Sequence, residues 1–109
     1  MISTHVLDAA AGRPAAGVSV RLDRADGASW VVVAGGVTDA DGRLSGWAGE
    51  SARPGTHRLV FGTGTYFAAR GLETFYPEVT VTFTVTAPDE HHHVPLLLSP
   101  FAYSTYRGS

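Results

Sequence analysis

The chain of 109 residues has no cysteine and no lysine. Without Cys there is no thiolate nucleophile and no disulfide, and without Lys no Schiff base can form. All eight basic residues are arginines (Arg13, Arg21, Arg24, Arg43, Arg53, Arg58, Arg70, Arg107), and 10 Asp+Glu set against them leave a formal net charge of -2. Scattered arginines in a slightly acidic chain give no electrostatic footprint for a phosphate backbone, so nucleic-acid binding is not expected. Long apolar runs are missing too: Trp30 to Ala34 and Val94 to Leu98 are the longest, far short of the roughly 20 residues of a membrane span. The opening Met-Ile-Ser-Thr-His carries no basic stretch followed by an apolar one, so no secretory signal is read and a cytoplasmic location is expected. Length and a 44% hydrophobic content predict one small domain over residues 1–109.

What is present is strand periodicity. In Val79-Thr80-Val81-Thr82-Phe83-Thr84-Val85, apolar and Thr residues alternate without a break, as in a half-buried strand. Val18, Val20 and Leu22 alternate with Ser19, Arg21 and Asp23, and Asp26-Gly27 then supplies a hairpin turn before Trp30 to Val33,. Asp41-Gly42 repeats the device ahead of Arg43 to Trp47, His57 to Phe61 makes a further strand, and Gly/Pro clusters at 12–14, 53–55 and 87–89 separate the rest,. Seven or eight short strands predict an all-β sandwich of two sheets. Thr65 to Arg70 lacks the alternation, opens on a Thr able to cap and stops at Gly71, which predicts one short helix.

Three consecutive histidines, His91-His92-His93, lead into Val94-Pro95-Leu96-Leu97-Leu98. Period-two geometry puts His92 on the face of Val94, Leu96 and Leu98, the side expected to be buried, and puts His91 and His93 together on the outer face. His5 shares a face with Ser3 and Leu7, and converges with the 91/93 pair if the terminal strands are neighbours. Three readings are open for these imidazoles: a polar strand end with no role, a metal site built from two His at i and i+2 plus a third ligand, or acid–base catalysis near neutral pH. Thr38-Asp39-Ala40-Asp41-Gly42-Arg43 resembles the start of a calcium loop. The downstream bidentate Glu is missing, Glu50 being the nearest acid, so a tight turn is the stronger reading. That turn holds Arg43 at a strand start, where its guanidinium can grip a carboxylate or an enolate-like oxygen. The aromatic and arginine-bearing tail, Tyr103 to Ser109, is expected to pack rather than fray, placing Ser109.

Together, Ser3-Thr4-His5-Val6-Leu7-Asp8, Thr38 to Arg43, His91 to Pro100 and the closing Tyr106-Arg107-Gly108-Ser109 resemble the transthyretin-related 5-hydroxyisourate hydrolases. Glu73 to Glu78 extends the likeness over essentially the whole chain. His92 departs from the family, which usually has Tyr there, and its inward face predicts an effect on packing. The resemblance implies a transthyretin-like sandwich of two four-stranded sheets with one short helix. It implies a homotetramer with active sites between dimers, and no cofactor or metal. The implied reaction is hydrolysis of 5-hydroxyisourate, the unstable product of urate oxidation, on the way to allantoin. Carried over by motif, His5, Arg43, His93 and Ser109 are catalytic, and His5, Arg43, Tyr106 and His91 contact the substrate. Opening a cyclic imide-like ring needs a base for water and a positive group for the developing anion. His93, paired with His5, suits the first role and Arg43 the second, while the choice of base between the histidines stays open. A non-catalytic prealbumin-like module and a small-ligand carrier are the competing readings, and the His cluster and tail weigh against both.

Overall fold

The computed structural model describes residues 1–45, 47 and 53–109. Its strands are β1 (Ile2–Asp8), β2 (Arg13–Pro14), β3 (Ser19–Asp26), β4 (Ser29–Val37), β5 (Arg43–Leu44), β6 (Gly55–Phe61), β7 (Val79–Val85), β8 (His92–Ser99) and β9 (Ala102–Thr105), with helix α1 (Thr63–Ala68) between β6 and β7. One sheet runs β2-β1-β8-β9 with β5 also on β1, and the other runs β4-β3-β6-β7. β2 pairs with Leu7–Asp8 and β5 with Thr4–His5, so the two short strands share one edge of β1 end to end. The first sheet therefore counts five strands but is four wide, the width expected.

Alternating side chains from both sheets fill the space between them: Val6, Leu96 and Leu98 from one, Leu22, Leu59 and Phe61 from the other, all fully buried,. At Leu22/Asp23 the β3–β4 register shifts, and Asp23, on the outward side of β3 with Arg21 and across from Arg58, is covered to 1% exposure. Arg21 meets it with Nε at 2.8 Å and NH2 at 2.9 Å, and Arg58 adds Nε at 2.8 Å. The Arg21 bonds foremost, with Arg58 in support, hold the Asp23 carboxyl below the usual carboxylate range,.

The turn at Asp41-Gly42 differs from the predicted hairpin. β4 pairs with β3 and β5 with β1, so the turn carries the chain from one sheet to the other. Asp39 Oδ1 accepts from the backbone N–H of Asp41 at 2.9 Å and of Arg43 at 3.0 Å, an Asp-built turn. Gly42 has φ +74°, and a Cβ there would lie 2.4 Å from the Val6 carbonyl oxygen. The strand expected to run on from Arg43 to Trp47 is described only as Arg43–Leu44. Gly46 and Glu50 lie outside the described residues. Trp47 is half-buried and its indole N–H donates to Ile2 O at 3.1 Å.

The helix begins two residues before the predicted start. Its N-cap is Gly62, with no side-chain cap bond, and Thr65 lies exposed inside it rather than capping it. The loop after the helix sets that start: Gly64 N–H donates to Pro77 O at 2.9 Å and Thr63 Oγ1 to Tyr76 O at 3.3 Å. Tyr66 and Phe67 enter the core, and the Tyr66 hydroxyl donates to Asp8 Oδ2 at 2.8 Å. Burial first, then Asp8, push that phenol up to about 12. No helix among the described residues is long and apolar enough to cross a membrane.

Two stability predictions follow from this packing. Gly42→Ala combines positive φ with a backbone clash and is expected to cost about 1–3 kcal/mol; an unchanged urea midpoint would show that the turn tolerates a side chain. His57 is 2% exposed, with its ring against Phe83 at 6.0 Å, and burial pushes its pKa below the usual value. The unfolded chain then takes up a proton as pH falls through about 6.5 while the folded chain resists it, so stability drops on acidification. His57→Gln should flatten the dependence of the urea midpoint on pH between 7 and 5.5, and an unaltered slope would remove His57 from it.

Candidate active site

β1 and β8 run parallel in a register that pairs Ile2 with His92, Ser3 with His93, His5 with Pro95 and Asp8 with Leu98. Because side chains alternate, the outer face of this pair collects Ser3, His5, His91 and His93. His92 faces the core at 4% exposure, as its position predicts, with Nδ1 3.1 Å from Glu90 O and Nε2 unpartnered. The terminal strands are thus neighbours, and His5 lies one diagonal step from His93. The Asp39–Gly42 turn delivers Arg43 directly opposite His5 on the other side of β1.

The Ser3 hydroxyl sits between the two outer imidazoles, 2.7 Å from His91 Nε2 and 2.8 Å from His93 Nδ1. The ring centroids are 6.1 Å apart. His91 is exposed and His93 half-buried. Burial, then the nearby His91, Arg43 and His5, push the His93 pKa below its usual value, so the ring is neutral, with a free lone pair, at neutral pH.

The tail completes the cleft. β9 pairs with β8 from Ser99↔Ala102 to Leu96↔Thr105, leaves the ladder at Tyr106–Arg107, and rejoins it where Gly108 N–H donates to His93 O at 2.9 Å. A Cβ on residue 108 would lie 2.5 Å from His93 Cδ2, so only glycine lets the backbone lie against the imidazole. Ser109 then joins Ser3, Thr4, Arg43, Ser45, His91 and His93 around a cleft of about 200 Å³.

Of the residues expected to act together, Arg43, His91, His93 and Ser109 line this cleft, and His5 is beside it in the ladder. Tyr106 is not in it: within one chain the side chain is 58% exposed and borders a second cleft of about 350 Å³ with Phe83, His92 and Arg107, to which His93 also belongs. The break in the ladder at Tyr106–Arg107 turns it there. Sequence reasoning missed Ser3 and Ser45. For Ser3 the signal was present, since it shares a face with His5, but its meaning depended on the parallel pairing. Among the described residues no group of three or more His, Asp or Glu is arranged to hold a metal ion. An imidazole base, a guanidinium and hydroxyls around one small concave space can activate water and stabilise an anion formed beside it.

Comparison with known proteins gives one consistent result. The family model described as HIUase/Transthyretin family matches residues 2–108. The 5-hydroxyisourate hydrolase of Salmonella typhimurium is 46% identical over 110 residues, covering 100% of this chain and 81% of that protein. That of Mus musculus is 47% identical over 111 residues, covering 99% and 94%. Among solved structures, Klebsiella pneumoniae 5-hydroxyisourate hydrolase superposes with a TM-score of 0.88 at 37% identity, covering 99% of this chain and 98% of its own. Transthyretin from Sparus aurata superposes at 0.90 with 30% identity, covering 98% and 95%. The sandwich is thus transthyretin-like, and the chain belongs to the HIUase/Transthyretin family.

Proposed function

We propose that this chain is a cytoplasmic 5-hydroxyisourate hydrolase acting in urate degradation, with residues 1–109 as its catalytic domain. The observation that carries the reading is the cleft in which a neutral His93 faces the same space as Arg43 and Ser109. His93, with His5 beside it, takes a proton from water, whose oxygen bonds to the lactam carbonyl carbon. Arg43 stabilises the oxyanion through charge-assisted hydrogen bonds. The ring C–N bond then breaks, the proton taken from water passes to the departing nitrogen, and the carboxylic acid left on carbon gives its remaining proton to solvent. Ser109 and His91 position the ring.

The functional unit is a homotetramer with active sites at the dimer–dimer interface. Exposed Phe75, Phe101 and Tyr103 supply apolar surface for such contacts. In it Tyr106 reaches substrate from the interface rather than from within its own cleft. The polar cleft favours catalysis over carriage of an apolar ligand, the function suggested by the thyroxine complex of sea bream transthyretin.

In a mixture of urate and urate oxidase, His93→Asn and Arg43→Ala should each lower turnover by about a hundredfold or more while keeping the wild-type sedimentation coefficient. Near-normal turnover in either variant sinks the assigned roles. Deleting Tyr106 to Ser109 separates enzyme from carrier. Hydrolysis should disappear, and a truncated chain that still accelerates decay of the intermediate would remove the tail from the mechanism.

A further inference from the structure

Ser3 has no part in the roles assigned above, yet its hydroxyl touches both outer imidazoles, at 2.7 and 2.8 Å. We propose that Ser3 is the central link of a proton wire joining His93 to His91, a positioning residue through which the base in the cleft discharges its proton. The inference rests on the hydrolase reading and deepens it.

A serine hydroxyl has one proton to give and lone pairs to receive. Placed between two ring nitrogens, it donates to one and accepts from the other, which couples the two tautomers. When His93 donates Nδ1–H to Ser3 and Ser3 donates to His91 Nε2, His93 Nε2 is left as a lone pair and His91 keeps its proton on Nδ1. This is the state that accepts a proton from water. As Nε2 takes that proton, Nδ1–H moves to Ser3 and the Ser3 proton moves to His91 Nε2. His93 ends neutral with its proton on Nε2, Ser3 keeps one proton, and His91 becomes the imidazolium. Reversal of the shift returns a proton from His93 Nε2 to the departing nitrogen and resets both rings.

Four observations favour this path over a charge held on His93. Arg43, on β5, lines the same cleft, and His5 adjoins it from β1, so a cation at His93 is opposed on two sides. Within one chain His93 is half-buried whereas His91 is exposed, and the less buried ring carries an imidazolium at the lower desolvation cost. Ser3 is 4% exposed and directly opposite His93 in the ladder, so water does not compete for its hydroxyl and the strand pairing sets its position. Glu90, the nearest carboxylate in sequence, is taken up with Arg107 at 3.3 Å, which leaves the serine as the connection between the two rings.

The test compares wild type with Ser3→Ala and Ser3→Thr, the latter keeping the hydroxyl. In the urate and urate oxidase mixture, Ser3→Ala should lower kcat by about tenfold to a hundredfold with little change in KM, and Ser3→Thr should recover most of it. The rate in H2O/D2O mixtures should curve with deuterium fraction in wild type, as for several protons in flight, and become linear in Ser3→Ala. Nitrogen-15 NMR of the histidines should find His93 protonated on Nδ1 in wild type and on Nε2 in Ser3→Ala. Unchanged kcat in Ser3→Ala, or an Nε2–H tautomer of His93 in wild type, overturns the wire. A wild-type chain that fails to hydrolyse the intermediate overturns the functional reading instead, and the NMR tautomers still decide whether the wire exists.

Discussion

Seven consecutive residue pairs between β1 and β8, formed by segments some 90 positions apart, hold this molecule's two ends together. Closing so long a loop is entropically costly and a parallel pair cannot be made by a tight turn, so the rest of the sandwich must bring these strands together before their ladder can form. Once it does, register decides everything at the site. A slip of β1 by one residue would turn Ser3 and His5 inward and Thr4 outward while His93 stayed on the outer face, so the site would come apart,. Buried contacts lock the register: the Thr4 hydroxyl donates to Val94 O at 2.6 Å, and Val6, Leu96 and Leu98 are 0 to 1% exposed. From that one pairing follow the seating of Arg43 through β5, the bridge from Ser3 to both imidazoles, and the edge along which the tail returns.

Buried polar groups, in the core and under the arginines of the outer face, nearly all have partners. Asp23 has two arginines, Asp8 the Tyr66 hydroxyl, and Thr38 Oγ1 donates to Ala15 O at 2.7 Å while accepting from Val18 N–H at 2.9 Å. Among the described residues His92 Nε2 is the one buried side-chain polar atom without a partner. It lies at the cleft bordered by Tyr106 and Arg107, at the position where this chain departs from the family's usual tyrosine. The departure falls on the inward face, away from the Ser3-bridged pair.

Much of the sandwich was legible because burial on one face writes a period of two into a strand. Val79 to Val85 was read over its full extent, and alternation sorted the three histidines as the structure has them, His92 in and the other two out. Three features were not legible. β9 consists of four exposed residues and is held by backbone bonds, which leave no side-chain pattern. The turn at Asp41-Gly42 looked like a hairpin because the residues that build a tight turn do not specify which sheet the next strand joins. The helix start was set by Pro77 and Tyr76, more than ten residues downstream, rather than by a local cap. At the site, the imidazoles and Arg43 stood out by residue type, but Ser3 became meaningful only through its neighbour across a ladder of high sequence separation. The roles of Tyr106 and Ser109 came from resemblance to a family, and a single chain brings only the second into the cleft.

Whether the cleft between β1 and β8 opens the ring of 5-hydroxyisourate is decided by following that intermediate alone. Urate is first exhausted by urate oxidase, the purified chain is then added, and the ultraviolet decay of the intermediate is recorded against its spontaneous rate. A hydrolase should give decay whose rate rises in proportion to added protein and saturates with substrate. Decay at the spontaneous rate, whatever the amount of protein, would contradict the hydrolase reading.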